Sequence, residues 1–315
     1  MFKLYDHSIN LEYREYPLNE KFPIFALLNG EFTFQPSLLT DLTFLHFHNC
    51  VEIGIIHKGN YLLYVEDQCF SLQQGDIFFL PPYTMHIGIP DDQDNITSCE
   101  YLYLLPDVLL HDFFQDYIPD TLLPYQFENF PVSFSSSSYP EIYTSVALLL
   151  DILREQKINY DIEVKGLVLT LMAELSRTLP KHAQYAPDNE ILPILLPALH
   201  YVNQHYSSNL SIDFLAELCH MSTSHFHKLF KHSLKQSPTH YIQHIRLSKA
   251  CELLHNTEDT ILMIAFAVGF TSLSNFNKQF QKRYHQTPRQ WRNANRIIQK
   301  KNFRHSVFPI NPRHP

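Results

Sequence analysis

The chain has 315 residues, of which 45% are hydrophobic and 14% aromatic, so it can build packed cores and is not globally disordered. Its net charge of −8 is unevenly distributed. Residues 191–315 hold 15 Lys and Arg against 5 Asp and Glu, whereas residues 1–190 hold 9 against 27. A basic segment in an otherwise acidic chain is typical of a nucleic-acid-binding module. The length favours two domains.

Six short segments of the first half have the hydrophobic pattern and the turn signals of β-strands. They are Thr43–Phe47, Val51–Lys58, Tyr61–Glu66, Asp76–Leu80, Met85–Ile89 and Cys99–Leu105. Many short strands separated by turns predict a β-barrel or jelly roll, which we assign to residues 1–106.

A cluster of polar residues lies within these strands. His46 and His48 are two residues apart on one strand and therefore share a face, and Glu52 and His86 can converge on it. Three imidazoles and a carboxylate are suitable ligands for a divalent transition metal. Because the chain has 19 histidines, three interpretations stay open: a metal site, a metal-free effector pocket that Tyr61 also lines, and histidines with a structural role.

Residues 107–180 are predicted to be mainly helical. Helices are expected at Leu109–Tyr117, Pro140–Gln156 and Asp161–Thr178, with a polar loop at Ser133–Ser138. The apolar stripes of the last two helices include Leu148, Leu149, Leu153, Val164 and Leu171, which is most often the pattern of a core. The polar segment 181–190 is the predicted linker, and residues 301–315, with three prolines, are the predicted tail.

The five cysteines are scattered, odd in number and without Cys-x-x-Cys spacing. This pattern argues for a reducing compartment and against both disulfides and a zinc–thiolate site. The sequence also lacks a signal peptide and a hydrophobic run of membrane-spanning length. We therefore expect a cytoplasmic protein without a membrane partner.

A sequence phrase in the basic segment occurs twice, fifty residues apart. Phe226, Phe230, Ser237-Pro238, Tyr241 and Arg246 recur as Phe276, Phe280, Thr287-Pro288, Trp291 and Arg296. A solenoid needs three or more repeats, so two copies indicate a duplicated helix-turn-helix.

Each copy has the signals of two short helices joined by a turn. Ser211 and Ser222 are N-cap candidates in the first copy, and Gly269 suits the tight turn of the second. The buried phenylalanines leave a polar row facing outward, which is suited to base edges and phosphates in a major groove. The predicted DNA-binding residues are Ser224, His225, His227, Lys228, Lys231, Ser274, Asn277, Lys278 and Gln281.

One continuous helix is predicted between the two copies. Pro238 fits its first turn, and apolar residues continue at helical spacing to Leu254. A rigid connector fixes the distance between the two reading helices, so that they can enter successive major grooves about 34 Å apart.

The stretch from about Ile191 to Arg292 resembles the DNA-binding domain of AraC/XylS-family transcription regulators. The motifs that carry the resemblance are Ala216-Glu-Leu, Phe226…Phe230-Lys231, Ser237-Pro238, Ile264-Ala265…Val268-Gly269-Phe270 and Thr287-Pro288. Lys235 and His285 replace glycines that the family often has, and both can cap a helix at a modest cost if φ is positive. The resemblance implies a DNA-binding domain over residues 191–300.

The histidine-containing strands are similar to the two motifs of cupins, except for Tyr83 in place of a common glycine and Pro90 in place of a frequent asparagine. Sensor domains of AraC/XylS regulators are commonly cupin-like. The expected fold is therefore an α+β two-domain one: an N-terminal cupin-like β-barrel followed by helices, and a C-terminal all-α domain with two helix-turn-helix motifs joined by a linker helix.

The favoured function is that of a regulator of transcription that binds double-stranded DNA and a small effector. No cofactor is required, although the cupin half offers a site for a divalent transition metal. Resemblance to sugar-responsive members and an aromatic-rich barrel (Tyr61, Tyr64, Phe78, Tyr83) favour a carbohydrate. The resemblance also implies a homodimer formed through the helices of residues 107–180, and RNA polymerase as a further candidate partner. The alternative is a metal-dependent cupin enzyme, such as a dioxygenase or isomerase, fused to a DNA-binding module.

Overall fold

A computed structural model describes residues 11–33, 45–91, 96–114, 118–180, 184 and 191–293. The chain divides into two compact units. The first contains the described residues from Arg14 to Gln184, and the second contains Leu11–Tyr13 together with residues 191–293. Most of the predicted linker and the whole predicted tail lie outside the described residues.

The first unit is built on two antiparallel sheets. In sequence, their strands are β2 (Ile24–Thr33), β3 (His46–Phe47), β4 (Val51–Lys58), β5 (Tyr61–Val65), β6 (Gln68–Leu72), β7 (Asp76–Leu80), β8 (His86–Pro90), β9 (Ile96–Leu104) and β10 (Ser133–Ser135). One sheet contains strands in the order β3-β8-β5-β6, and the other has the order β10-β7-β4-β9-β2. The predicted strands are confirmed apart from small shifts at their ends; residues 43 and 44 lie outside the described ranges.

Strand prediction was wrong at β10 and incomplete elsewhere. The segment Ser133–Ser138 was expected to be a polar loop, but its first three residues pair with β7, where Phe134 lies opposite Ile77. Phe134 is fully buried. Strands β2 and β6 were not predicted.

Three helices follow the barrel: α1 (Pro106–Phe114), α2 (Pro140–Glu155) and α3 (Tyr160–Ser176). Two short 3-10 turns, Asp120–Leu122 and Pro124–Gln126, lie between α1 and β10. The predicted stripes of α2 and α3 are largely buried in one core with the sheet that contains β4 and β9. Leu148 is the exception, with 47% of its surface exposed.

A buried carboxylate attaches α2 to the barrel. Glu100, on β9, accepts hydrogen bonds from Arg154 Nη2 at 2.9 Å to each oxygen and from His57 Nε2 at 2.9 Å. Burial alone would raise the pKa of Glu100, but these hydrogen bonds, together with one from the Asn29 amide, lower it to about 2.

The second unit is helical over residues 191–293. It contains α4 (Ile191–His205), α5 (Ile212–Leu218), α6 (Thr223–Leu234), α7 (Pro238–Asn256), α8 (Ile261–Ala267) and α9 (Leu273–Tyr284). The side chains of Ser211 and Ser222 cap α5 and α6 as predicted, since each accepts a hydrogen bond from a backbone amide of the first turn. The predicted connector is the single helix α7.

A short N-terminal segment, β1 (Glu12–Tyr13), and the preceding Leu11 also belong to this second unit. Gln236 Nε2 donates to the Leu11 carbonyl at 2.8 Å, and Asn203 Nδ2 donates to the Tyr13 carbonyl at 3.0 Å. The Tyr13 amide donates to the Tyr241 hydroxyl at 3.2 Å. The sequence-based division placed these residues in the barrel domain.

Among the helices in the part of the chain that the structure describes, none has the length and hydropathy needed to cross a membrane.

Candidate DNA interface and effector site

The helices α6 and α9 have the same local construction. Each has twelve residues, begins after a serine N-cap and buries two phenylalanines one turn apart. Each ends at a residue in the left-handed region, Lys235 with φ of 55° and His285 with φ of 53°. Lys235 and His285, which replace glycines that the family often has, therefore adopt the left-handed conformation that glycine favours, at a cost of about 1–2 kcal/mol each.

All nine residues predicted to contact DNA are exposed. On α6 they are Ser224, His225, His227, Lys228 and Lys231; on α9 they are Ser274, Asn277, Lys278 and Gln281. No hydrogen bond or ion pair within the described residues is assigned to the Lys228 or Lys278 side chain. Both helices thus carry a polar face available to a polyanion.

The turn before α9 depends on Gly269. Its φ is +91°, and a Cβ atom at this position would lie 2.7 Å from the carbonyl oxygen of Ser207. The corresponding turn of the first motif uses His220, which has φ of 55°. Gly269 is therefore required by close backbone approach as well as by its own conformation.

Two arginines donate hydrogen bonds to backbone carbonyls, each around the end of the helix that precedes one helix-turn-helix. Arg246 donates to the carbonyls of Tyr206 and Ser208, each at 2.7 Å. Arg292 donates to the carbonyls of Leu254 at 3.2 Å and Asp259 at 2.7 Å. The sequence repeat paired Arg246 with Arg296, which lies outside the described residues; the residue with the equivalent contacts is Arg292.

A polar contact inside the second unit links α9 to α7. Arg283, on α9, donates through Nη2 to Nε2 of the buried His244, on α7, at 2.7 Å. The Arg283 guanidinium also lies 5.4 Å from the centre of the Tyr284 ring. Sequence analysis did not select either residue, because a polar side chain inside a helix gives no periodic signal.

In the first unit, the four residues of the predicted cluster converge. His46 and His86 are opposite each other in the β3/β8 register, and Glu52 is on β4 of the other sheet. All four side chains, including His48, are buried, and one potential ligand atom from each lies within 4.8 Å of the others. The cluster therefore joins the two sheets.

Backbone carbonyls determine which nitrogen of two of the rings carries a proton. His48 Nδ1 donates to the Cys50 carbonyl and His86 Nδ1 donates to the Thr84 carbonyl, each at 2.9 Å. The Nε2 atoms of His48 and His86 then lie 2.8 and 3.0 Å from the same carboxylate oxygen, Oε2 of Glu52. A neutral ring whose Nδ1 is protonated has a lone pair on Nε2, so this arrangement requires positive charge between the atoms, either protons or a metal ion.

Burial and charge shift the pKa values of this cluster in opposite directions. Burial lowers the pKa of His48, and the hydrogen bond with Glu52 opposes that shift. Burial alone would raise the pKa of Glu52, but the charge of His86 and hydrogen bonds from His48 and His86 lower it to about 2. The carboxylate is therefore ionised and carries a formal negative charge inside the barrel.

Aromatic rings cover one side of the cluster. Tyr16 stacks on Tyr103 with ring centres 3.6 Å apart and an angle of 15° between the planes. The Tyr16 ring also meets the His48 ring edge-on, with centres 5.3 Å apart, and Tyr103 meets His48 edge-on at 5.7 Å. Sequence analysis missed Tyr16 and Tyr103, since neither lies within the cupin-like motifs.

The aromatic residues proposed from sequence have different surroundings. Tyr61 is only 6% exposed, stacks on Phe78, and its hydroxyl lies 3.1 Å from that of Tyr101. In the β5/β8 register, the residue opposite His86 is Val65, so Tyr61 lies four residues along the strand from the cluster. Tyr83 has φ of 64°, in the left-handed region that glycine adopts most readily.

Two family models match the chain. A helix-turn-helix domain matches residues 215–294, and an AraC-like ligand binding domain matches residues 37–172. The chain belongs to the AraC family of transcription regulators. This AraC-family protein therefore combines a ligand-binding domain with a helix-turn-helix DNA-binding domain, which implies DNA and a small-molecule effector as partners.

Relatives match this AraC-family chain over most of their length. The HTH-type transcriptional regulator YdeC of Bacillus subtilis is 23% identical over 259 residues, or 80% of this chain and 86% of the relative. The HTH-type transcriptional activator RhaR of Mannheimia succiniciproducens is 24% identical over 260 residues, covering 81% and 88%. Among solved structures, ToxT of Vibrio cholerae has a TM-score of 0.53 at 14% identity, covering 88% of this chain and 98% of that chain, a likeness that concerns the fold.

Proposed function

We propose that this regulator reads its operator with α6 and α9 in successive major grooves on one face of the DNA. The observation that carries the proposal is the pair of equivalent outward polar rows on either side of a single rigid helix. The 19 residues of α7 correspond to a rod of roughly 28 Å, which is comparable to the distance of about 34 Å between successive grooves.

Salt dependence of DNA binding tests this placement. Lys228→Ala and Lys278→Ala should each weaken operator binding and reduce the slope of log K against log salt by about 0.9, the value for one phosphate contact. Lys157→Ala, in the exposed turn between α2 and α3, is the control and should leave the slope unchanged. Unaltered affinity and slope for both α6 and α9 variants in a filter-binding titration would contradict the proposal.

For the ligand-binding domain, we propose that His46, His48, Glu52 and His86 hold a divalent transition metal. The donor set fits, because the carbonyls of Cys50 and Thr84 orient the Nε2 atoms of two rings toward the carboxylate. Ligands at about 2.1 Å from one ion lie at most roughly 4.2 Å apart, so the observed limit of 4.8 Å requires only a small contraction. A bound divalent ion would polarise and orient oxygen atoms of an effector.

A carbohydrate is the effector that we propose. The tyrosines beside His48 support this choice, because aromatic side chains can contact the apolar side of a sugar ring while imidazoles and a carboxylate bond its hydroxyls. The effector changes transcription only if it binds one arrangement of the protein more tightly than another.

Thermal melting of the full chain tests both proposals. The panel is a set of mono- and disaccharides, each with Zn²⁺, with Mn²⁺ and with a chelator, and metal content is measured on the purified protein. A ligand at 100 times its Kd should add about 2.7 kcal/mol of stability. His86→Ala should abolish bound metal while His111→Ala, on α1, retains it. Metal-free protein that no cation stabilises would contradict the metal site, and no response to any sugar would contradict the carbohydrate.

We propose that the chain is a regulator without catalytic activity. The alternative, a metal-dependent cupin enzyme fused to a DNA-binding module, has support only from the same donor set. Replacement of His46 by Ala distinguishes the two functions: a sensor should lose its transcriptional response to the effector, whereas an enzyme should lose turnover.

A homodimer formed through the α2–α3 hairpin is proposed as the binding form. Three exposed apolar residues support this surface: Leu148, Ile158 and Ile162, with exposed fractions of 47%, 88% and 64%. Leu148→Asp should shift the full chain toward monomer in equilibrium sedimentation, and Val108→Asp on α1 should not. We further propose RNA polymerase as a partner and the cytoplasm as the location, where both the chromosome and RNA polymerase are found.

A further inference from the structure

The duplicated motif allows the two reading helices to be compared position by position. Their N-caps are Ser222 and Ser272, their buried phenylalanines are at matching positions, and both end in a left-handed residue. Residues fifty apart therefore occupy equivalent places on the two outward faces. A difference between such residues is a difference in chemistry and not in backbone placement.

The outward faces differ in hydrogen-bonding capacity at several equivalent positions, and two of these positions lie four residues apart. His227 corresponds to Asn277, and Lys231 corresponds to Gln281; all four side chains are exposed. Because these positions are four residues apart, the two side chains of each pair lie on the same side of their helix. The row of α9 thus carries two carboxamides where that of α6 carries an imidazole and an ammonium group.

These groups prefer different bases. A carboxamide both donates and accepts, which matches the N6 donor and N7 acceptor of adenine. An ammonium group only donates, which matches the O6 and N7 acceptors of guanine, and an imidazole N–H can donate to the same acceptors. Lys228 and Lys278 are equivalent and do not distinguish the two helices.

We propose that the operator has two unlike parts: an adenine-containing part that α9 reads through Asn277 and Gln281, and a guanine-containing part that α6 reads through His227 and Lys231. The inference rests on the proposed function, since it requires both helices to enter the major groove. The centres of the two parts are then about 10 base pairs apart, one turn of DNA.

Reciprocal exchange between the two helices tests this division. The full chain is used to select from a pool of duplexes with a randomised region of about 30 base pairs, and enriched sequences are compared between variants. The exchanges are His227→Asn with Lys231→Gln on α6, and Asn277→His with Gln281→Lys on α9. Each variant places two side chains of one helix at the equivalent positions of the other helix. The α6 exchange and the α9 exchange are therefore matched controls for each other.

The α6 exchange is expected to add adenine preference in one part of the operator and leave the other part unchanged. The α9 exchange should replace adenine by guanine in the part that the α6 exchange leaves alone. On isolated duplexes, anisotropy titration should show a roughly 5- to 150-fold loss for the base that no longer matches. All four positions are exposed, so the melting temperatures should remain close to the wild-type value.

The outcomes separate this inference from the function on which it rests. If wild-type protein enriches two parts but an exchange alters neither, or alters both together, the division of bases is overturned. If an exchange lowers the melting temperature, the single variants Asn277→Ala and His227→Ala are tested in its place. The division of bases is overturned if both variants lose base preference equally and in the same part of the operator. If wild-type protein enriches no sequence at all, the proposed operator reading itself fails.

Discussion

Replacing Gly269 by alanine should destabilise the second unit strongly. An alanine at φ of +91° costs about 1–2 kcal/mol. The new Cβ would lie 2.7 Å from the carbonyl oxygen and 2.9 Å from the carbonyl carbon and Cα of Ser207. All three are backbone atoms, so relief requires movement of the chain between α4 and α5, which adds about 1–3 kcal/mol.

The expected net loss is about 1–5 kcal/mol, after allowing for the roughly 0.4–1 kcal/mol that alanine gains by restricting the unfolded chain. For a unit of about 100 residues this corresponds to a fall in Tm of at least roughly 4 °C. The measurement is differential scanning calorimetry of the full chain, with operator binding measured below the transition.

Gly166 provides a matched control of opposite sign. It lies in the middle of α3, where a Cβ atom would meet nothing within 4 Å. Gly166→Ala should therefore raise the stability of the first unit by up to about 1 kcal/mol. A Gly269→Ala protein that melts within 2 °C of wild type would refute the argument from the close approach to Ser207, and so would an equal loss in the Gly166→Ala variant.

Two further changes test contacts described above. Glu100→Gln should lower the free energy of unfolding at pH 7, because it weakens the hydrogen bonds with Arg154 and His57. The folded-state pKa of Glu100 is depressed to about 2, so its contribution to stability is present above the unfolded pKa and is lost as pH falls toward 2. Urea titrations should therefore show a smaller difference in unfolding free energy between variant and wild type at pH 3 than at pH 7. An equal difference at both pH values would contradict this. Arg292→Met removes two hydrogen bonds, one to a carbonyl in the last turn of α7 and one to a carbonyl in the segment after it, and should cost about 2–4 kcal/mol. The exposed Arg289→Met should cost under about 0.5 kcal/mol in the same calorimetric assay.

The helical unit was predictable because its signals are local. The serine caps, the phenylalanine pairs and Gly269 each act within a few residues, and the duplication repeats them in a fixed order. The position of Arg292 was not predictable, since its partners are backbone carbonyls 33 and 38 residues away. Its role depends on where the chain ends one helix and begins another.

In the barrel, local sequence signals predict less of the structure than they do in the helical unit. The spacing of His46 and His48 predicted a shared cluster, and the β3/β8 register brings His86 opposite His46. The hydrogen bonds that select the ring tautomers involve the carbonyls of Cys50 and Thr84, which have no sequence signature. Strand β10 was missed for a related reason: a three-residue edge strand is decided by its partner and not by its own composition.

The assignment of Leu11–Tyr13 to the DNA-binding unit affects how the protein can be dissected. A fragment that starts in the predicted linker would lose the hydrogen bonds that Gln236 and Asn203 donate to this segment and the one that the Tyr13 amide donates to Tyr241. Chimeras that join another sensor to residues 191–293 would lose them too. A minimal DNA-binding fragment that keeps these hydrogen bonds is therefore discontinuous in sequence. It could be made as a circularly permuted chain in which residues 11–13 are attached to residues 191–293.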